Sequence, residues 1–413
     1  MKLDPKREAR QRKIIRNWIG ADMCGTAECA TGFGKTITAI LAIIMIREIS
    51  PSLSVMVVVP TLYLQEQWKS RLADFGVDNV EVWVINSAVK QSHFVDMLVL
   101  DEIHQYTAEV FGQIFDRVSY DQVFGLTATL RDDDPRTEII YKKAPVIDTV
   151  TMKEALDAGW ISPFQVYNLG IDLKGDEEEI YKTLAKNFNR TFATFGHDFS
   201  LAMACVNNPA TLRAHAHRLQ WDEKRVQASA FQWMKNMRER KELLYNLDSK
   251  HDLAIKVIDQ FPDRMIITFS QTIDSAERLA GALGSRAEVY HSQVKGRMVN
   301  GKKLTAKAAK QHAIDRFASN HHMNTCSVLC TAKAMDQGAD IPDVDMVVVV
   351  SASSKPLQAI QRYGRSLRAI EGKRTVIVEI YAKGTQDEKW LRSRQKKLPK
   401  GVVRWITDPA EII

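Results

Sequence analysis

The feature that most constrains the fold is an alternation of short runs rich in valine and isoleucine with longer segments of helical spacing. One series occupies the first third of the chain, at residues 55–59, 80–85, 97–100 and 123–126. A second series follows later, at residues 265–269, 288–290, 327–331, 346–350 and 375–381. Buried parallel strands have this composition, and the intervening helices cover both faces of the sheet. With 413 residues, the chain is long enough for two α/β domains.

The strand signals stop between the two series, where aromatic residues recur at helical spacing. They are Phe188, Phe192, Phe195 and Phe199. We predict helices here that pack on one or both sheets, with the aromatic side chains in the core rather than on a binding surface. The predicted organisation is a first α/β domain over residues 1–172, a helical connecting segment over 173–250 and a second α/β domain over 251–413.

A glycine-bearing turn links a predicted short strand at residues 24–29 to a helix that starts near residue 37. It reads Ala30-Thr31-Gly32-Phe33-Gly34-Lys35-Thr36. Gly32 and Gly34 allow backbone N–H groups to close around phosphate oxygens at the helix N-terminus. Lys35 would reach the β and γ phosphates, and the Thr36 hydroxyl would coordinate Mg²⁺. The turn therefore predicts a nucleotide-phosphate site, which kinases, GTPases and many ATPases share.

An acidic pair follows the predicted strand at residues 97–100, in the sequence Asp101-Glu102-Ile103-His104. The end of a buried parallel strand would bring both carboxylates to the same sheet edge as the phosphate turn. Asp101 suits the magnesium shell, and Glu102 is placed to orient and deprotonate an attacking water. The alternative is an acidic pair that only caps a helix. With the upstream turn, the pair favours hydrolysis over phosphoryl transfer to another substrate.

A second cationic segment lies more than three hundred residues away, at 361–368, and reads Gln-Arg-Tyr-Gly-Arg-Ser-Leu-Arg. The segment itself contains no acidic residue, so its arginines could complete a nucleotide held at the other end of the chain. The alternative is an ordinary basic helix face, because Arg365 and Arg368 are three residues apart. The combination indicates an ATP-driven protein of two domains.

Charge distribution indicates a polyanionic partner. The net charge is +7, and basic residues concentrate in the segments 1–20, 294–317 and 389–404. Any one such segment could be a solvated helix face, but three together favour contact with a phosphate backbone. There is no secretory signal at the start, no apolar run of membrane-spanning length, and the five cysteines are scattered. We expect a cytoplasmic protein, or one in the host cytoplasm if phage-encoded, with a nuclear location left open.

Several further segments make the chain resemble superfamily 2 helicases and translocases of the DExH kind. The similar segments, in family order, are Pro60-Thr61 with Gln67-Trp68, Thr127-Ala128-Thr129, Ile267-Thr268-Phe269-Ser270, Gly338-Ala339-Asp340-Ile341-Pro342, and Gln361 to Arg368. Within the superfamily, the chain is similar to the XPB-like group, which includes phage branch-migration helicases of the UvsW type. The resemblance implies two tandem RecA-like domains, parallel sheets flanked by helices, with a helical segment between them.

The resemblance also implies roles for individual residues. Arg365 and Arg368 would act as arginine fingers on the γ-phosphate, and Gly338 and Asp340 would sense the nucleotide near the ribose. Coupling of hydrolysis to strand movement would use His104, Thr127, Thr129 and Gln361. Phosphates of the nucleic acid would be held by Thr61, Ser270 and Thr331. Gln11 occupies the place of the family's adenine-reading glutamine, without the arginine, proline and aromatic residue that usually precede it.

The function expected from these features is an ATP- and Mg²⁺-dependent helicase or translocase on single-stranded, duplex or branched DNA. We expect recombination, repair or branch migration as its setting, and a monomer or a loosely self-associating protein. Two alternatives stay open at this point. One is an RNA helicase of the DExH group, and the other is a non-unwinding, ATP-dependent subunit that binds DNA and recruits partners.

Overall fold

The computed structural model describes residues 4–107, 109–130, 135–299, 301–319, 326–332, 344–355, 372 and 374–413. The helices and strands up to residue 157 are α1 (Pro5–Gly20), β1 (Cys24–Cys29), α2 (Lys35–Arg47), β2 (Val55–Val59), α3 (Leu62–Asp74), β3 (Val80–Val84), α4 (Ile85–Ala88), β4 (His93–Phe94), β5 (Met97–Asp101), α5 (Glu109–Gly112), α6 (Ile114–Arg117), β6 (Val118–Ser119), β7 (Gln122–Thr127), α7 (Glu138–Lys143), β8 (Val146–Val150) and α8 (Met152–Asp157). Short 3₁₀ turns follow β5 and precede α7.

The first sheet has six parallel strands in the order β3-β2-β5-β7-β1-β8. All five residues of β2 are buried, as expected for a strand covered on both faces. Its alternate side chains enter two apolar clusters: Val57 packs with α1 to α3, and Val58 packs with α4 to α7. The predicted parallel sheet is therefore present, and its strand ends carry the phosphate turn after β1 and the acidic pair after β5.

The strand β9 (Phe164–Ile171) leads into four helices: α9 (Asp176–Ala193), α10 (Phe199–Asn207), α11 (Pro209–Leu219) and α12 (Glu223–Tyr245). Trp233 lies at the centre of the core of these helices, with Phe192 stacked on it at a ring-centroid distance of 5.6 Å. The segment was expected to pack on one or both sheets, and Leu244 of α12 does cluster with Ala382 at the end of a strand of the second sheet. The aromatic side chains of the segment are buried largely against one another, except that of Phe199, which is 53% exposed.

The remaining elements are α13 (Asp248–Asp259), β10 (Ile266–Ser270), α14 (Ile273–Leu283), β11 (Ala287–His291), β12 (Met298–Val299), β13 (Lys302–Lys303), α15 (Ala306–Ser319), β14 (Val328–Ala332), β15 (Met346–Val349), β16 (Thr375–Ala382), α16 (Gln386–Arg394) and β17 (Val403–Ile406). The second sheet has seven parallel strands in the order β11-β14-β10-β15-β16-β9-β17. The helices α13 and α14 pack on one face of this sheet, and α15 packs on the other.

The expected boundary at residue 172 needs correction, because β9 belongs to the second sheet. It pairs with β16 over its whole length and with β17 on its other side. The chain therefore enters the second sheet before it forms the helical segment, and returns to the same sheet afterwards. Within the part of the chain that the structure describes, no helix is both long and apolar enough to cross a membrane.

Candidate nucleotide site

The phosphate turn has the backbone that its glycines require. Gly32 and Gly34 have φ values of 89° and 100°, in the left-handed region that favours glycine. Lys35 opens the helix α2, so the turn delivers free backbone N–H groups at a helix N-terminus. Phe33 differs from its neighbours, because its side chain is fully buried and packs edge-on against Trp160. Only the backbone of Phe33 is placed to meet a phosphate.

Gln11 lies against this turn, on the helix α1. Its Nε2 donates to the Gly34 carbonyl at 3.3 Å, and a Cβ at Gly34 would lie 3.0 Å from the same nitrogen. Within the described part of the chain, two buried polar atoms beside the turn have no hydrogen-bond partner, namely Gln11 Oε1 and Thr31 Oγ1. Buried polar atoms are normally satisfied, so these two mark a place where a polar ligand fits.

The acidic pair stands where β5 ends, close to Lys35. The Lys35 ammonium lies 4.0 Å from Glu102 Oε1. Glu102 has a φ of 50°, which is uncommon for a residue with a side chain and costs on the order of 1–3 kcal/mol. Strain of this kind concentrates at functional sites. Thr36 is half-buried on the first turn of α2, and the residue types of Thr36 and Asp101 suit a magnesium ion shared with phosphates.

Asp101 is held by a residue to which the sequence assigns no role. The Trp68 indole N–H donates to Asp101 Oδ2 at 2.8 Å, and Trp68 is 1% exposed. Burial, and next the charge of Glu102, raise the pKa of Asp101 to about 6, while the Trp68 hydrogen bond acts in the opposite direction. In the sequence, the Gln67-Trp68 pair indicated only a resemblance to a helicase motif. The hydrogen bond from the Trp68 indole to Asp101, 33 residues away, is visible only in the folded structure.

We expect Trp68→Phe to destabilise the protein more at about pH 7.5 than at about pH 5. The pKa of Asp101 in the folded protein lies above its unfolded value, which is roughly 3.9 for aspartate. The folded protein therefore binds this proton more tightly than the unfolded chain does, and the stability that results is lost as the pH rises through the folded-state pKa. Removing the indole donor raises the pKa of Asp101 further, so the additional loss falls between these two pH values. The lost volume costs the same at both.

Thermal unfolding midpoints in EDTA, at both pH values, test this expectation. Asp101→Asn is the matched background, because it removes the titrating group while leaving the indole in place. In that background the effect of Trp68→Phe should not depend on pH. An equal loss at both pH values in the protein that retains Asp101 would show that the hydrogen bond does not control this carboxylate.

A series of close contacts leads from Glu102 to the end of β7, and its hydrogen-bonded part begins at His104. His104 Nδ1 lies 3.4 Å from Glu102 Oε2 and 3.1 Å from Thr127 Oγ1. The Thr127 hydroxyl in turn donates to the Thr129 carbonyl at 3.1 Å and accepts from the Thr129 N–H at 3.3 Å. The three residues expected to couple the site to movement, His104, Thr127 and Thr129, are thus brought together beside Glu102.

Two of the three residues expected to hold nucleic acid have buried side chains. Ser270 and Thr331 are fully buried, and their hydroxyls are bonded to Ser275 Oγ at 3.0 Å and to the Thr268 carbonyl at 2.7 Å. In this arrangement neither side chain reaches a phosphate, which corrects the expectation for both. The Thr61 hydroxyl accepts from the Leu64 N–H at 3.3 Å and so caps α3.

Five expected site residues lie outside the described residues. They are Gly338, Asp340, Gln361, Arg365 and Arg368.

Two parts of the chain match known protein families. Residues 249–370 match the family described as "Helicase conserved C-terminal domain". Residues 4–91 match the family described as "Type III restriction enzyme, res subunit". The match to the restriction-enzyme family contains the phosphate turn. The match to the helicase family begins at α13, where the chain returns to the second sheet.

Similar proteins extend the comparison to nearly the whole chain. DNA 3'-5' translocase XPB2 of Sulfurisphaera tokodaii is 23% identical over 404 residues, which is 94% of this chain and 84% of that protein. ATP-dependent rRNA helicase RRP3 of Candida albicans is 28% identical over 165 residues, 38% of this chain and 27% of that protein. The crystal structure of the Pyrococcus furiosus Hef helicase domain has a TM-score of 0.54 at 15% identity, covering 95% of this chain and 98% of that one, and shares the fold.

The two parallel sheets are therefore two RecA-like domains. With the phosphate turn and the acidic pair at one sheet edge, with a helicase family matched in the second domain, and with similarity to an XPB translocase over 94% of its length, the chain belongs to the superfamily 2 helicases and is a nucleic-acid-dependent ATPase.

Proposed function

We propose that this ATPase translocates on or remodels DNA, in recombination, repair or branch migration. The observation that carries the proposal is the route of contacts from Lys35 through Glu102 and His104 to Thr127. It joins the phosphate site to a segment at the carboxyl edge of the first sheet. A change at the nucleotide can then alter the contacts that this edge makes with the rest of the molecule.

The nucleotide would be ATP, held by the N–H groups at the start of α2 and by Lys35. Mg²⁺ would be held by Thr36 and Asp101, and when bound it offsets negative charge on the phosphate oxygens. Glu102 would orient a water and accept its proton, and the His104 ring lies beside its second carboxylate oxygen. Arg365 and Arg368 of the second domain are proposed to offset charge on the γ-phosphate. Gln11 is proposed to read the adenine, and Gly338, Asp340 and Gln361 to respond to the bound nucleotide.

A basic hairpin in the second domain is the surface that we propose for nucleic acid. It is formed by β12 and β13, and no Asp or Glu occurs from residue 289 to residue 314. Four lysines of this stretch are exposed and have no ion pair within the described residues; they are Lys295, Lys302, Lys303 and Lys307. Phosphate backbone complements such a surface without reading the base sequence.

The base of this hairpin is fixed rather than free. Glu288, which is 4% exposed, accepts hydrogen bonds from Arg297 at 2.8 Å and from Arg316 at 2.6 Å. Gly296 permits a close crossing, because a Cβ there would lie 2.3 Å from the Leu304 carbonyl oxygen. The two arginines are thus used internally, and the lysines at the tip are presented outward.

We expect the double variant Lys302→Glu and Lys303→Glu to weaken DNA binding by about tenfold or more at roughly 0.1 M salt. Each duplex phosphate contact contributes about 0.9 to the slope of log affinity against log salt. The slope should therefore fall by about 1 to 2. Fluorescence anisotropy with labelled duplex, over a series of salt concentrations, measures both quantities.

The matched control is Lys142→Glu with Lys143→Glu, at the end of α7. It makes the same change in net charge on another pair of adjacent, exposed lysines. These lysines lie near the amino ends of the strands of the first sheet, whereas the phosphate turn lies at the carboxyl ends. The control should bind nearly as the unsubstituted protein does. Equal weakening by both double variants would assign the effect to net charge and would remove the hairpin from the interface.

DNA is proposed over RNA because the similarity to XPB2 covers 94% of this chain, whereas the similarity to an rRNA helicase covers 38%. The RNA helicase and the non-unwinding DNA-binding subunit remain the alternatives. ATP hydrolysis measured in parallel with single-stranded, duplex, forked and four-way DNA and with RNA separates them. Stimulation by DNA, greatest with branched DNA, is expected for branch migration. Stimulation by RNA alone would contradict the proposal.

A further inference from the structure

Lys397 makes a polar contact between the two domains, close to the candidate nucleotide site. It follows α16, which packs on the second sheet, and its ammonium reaches the end of β7 in the first. Its Nζ donates to Thr129 Oγ1 at 2.6 Å and to the Leu130 carbonyl at 3.2 Å, and it lies 3.6 Å from Glu28 Oε1. Glu28 Oε1 also accepts from the Leu130 N–H at 3.3 Å, so the lysine joins a small polar cluster.

The segment that carries Lys397 is anchored firmly to the second domain. Arg394 and Glu379 form an ion pair at 2.5 Å, with their side chains 1% and 0% exposed. Gln395 and Asn168 exchange two amide hydrogen bonds, at 2.9 and 2.8 Å. A buried ion pair is strongly destabilising to break, because it leaves an uncompensated charge. The position of Lys397 therefore follows the position of the second sheet.

The other end of the contact belongs to the route from Glu102. Thr129 is bonded to Thr127, and Thr127 to His104, which lies beside the Glu102 carboxylate. Thr127 and Thr129 are 0% and 3% exposed, so water does not readily replace these bonds. A displacement of Thr129 would therefore also shift Thr127 and the His104 ring that is hydrogen-bonded to it.

We propose that Lys397 is a positioning residue, which ties the placement of the second domain to the position of Glu102 through Thr129, Thr127 and His104. The proposal rests on the proposed function, because it requires domain movement during hydrolysis. When the second domain stands as it does here, the ammonium holds Thr129 and Leu130. When the domains separate, this bond breaks, and Thr129 loses its cationic donor. Nucleic acid that spans both domains would then control hydrolysis through this lysine.

The test compares Lys397→Ala with Lys396→Ala in the full chain. Lys396 is exposed, and no contact of its side chain is among those of the described residues, so it is the matched control. We expect Lys397→Ala to lower the maximal DNA-stimulated ATPase rate by about fivefold, as for loss of one ordinary intramolecular hydrogen bond, because the Lys397 side chain is 44% exposed. The DNA concentration for half-maximal stimulation should stay unchanged, and Lys397→Arg should recover most of the rate. A structural defect would shift the half-maximal concentration or the unfolding midpoint as well.

A double-mutant cycle with Thr129→Val identifies the bond. If the hydrogen bond carries the effect, the two substitutions together lower the stimulated rate no more than either does alone. Effects that multiply would overturn the proposal, and so would a normal maximal rate in Lys397→Ala. If no nucleic acid stimulates ATP hydrolysis by the unsubstituted protein, the proposed function itself is wrong. This outcome differs from the two that overturn the role of Lys397, because in those the unsubstituted protein is stimulated.

Discussion

Glu102→Gln is expected to bind ATP with nearly unchanged affinity and to hydrolyse it at least about 100-fold more slowly. The substitution keeps the size of the side chain but removes the carboxylate that would take the proton from water, and positioned general bases contribute roughly 10² to 10⁴ in rate. The carboxylate now lies between Lys35 and His104, at 4.0 and 3.4 Å. An amide in its place fits the same space between these two side chains.

Single-turnover hydrolysis and the binding of a fluorescent ATP analogue separate the two effects. Glu138→Gln is the matched control, because Glu138 is exposed on α7 and pairs only with Lys142 among the ion pairs of the described residues. It should leave both quantities unchanged. Hydrolysis by Glu102→Gln at the rate of the unsubstituted protein would remove Glu102 from the role of base.

Lys35→Ala is expected to lower DNA-stimulated hydrolysis by more than about 100-fold and to weaken ATP binding. Lys35 opens α2 at the phosphate turn, with its side chain 12% exposed, and would be the side chain that neutralises the β and γ phosphates. Its loss also leaves Glu102 without its cationic neighbour. Steady-state hydrolysis over a range of ATP concentrations measures both effects.

Lys69→Ala provides the control for this substitution, since Lys69 is an exposed lysine whose ion pair, with Glu66, lies at the surface. Surface pairs of this kind contribute little, so the control should hydrolyse ATP normally. Lys35→Arg tests whether the shape of the cation matters as well as its charge. It keeps the positive charge on a planar guanidinium, so we expect its ATP hydrolysis to remain impaired. Normal hydrolysis by Lys35→Ala would contradict the assignment of the whole site.

Features that depend on short-range pattern could be predicted from sequence. The run at residues 55–59 is a fully buried strand, and the turn at residues 30–36 joins a strand to a helix as expected. The acidic pair follows a buried strand in parallel pairing with β7, with Asp101 opposite Leu126. Each of these follows from local periodicity and from the steric demands of Gly32 and Gly34.

Features that depend on distant pairing could not be predicted. The residues of β9 are compatible with either sheet, and their place between β16 and β17 is decided by pairing with strands more than two hundred residues away. The burial of Ser270 and Thr331 depends on their neighbours in the folded sheet, as do the partners of Trp68 and Lys397. Tertiary packing determines all of these.

The proposed function requires that ATP hydrolysis drives movement along DNA. ATP-dependent displacement of a third strand from a DNA triplex measures this movement, because displacement requires travel along the duplex rather than binding alone. We predict displacement with ATP, none with a non-hydrolysable analogue and none by Glu102→Gln. DNA-stimulated hydrolysis without displacement in either direction along the duplex would contradict the account and would favour a stationary DNA-binding subunit.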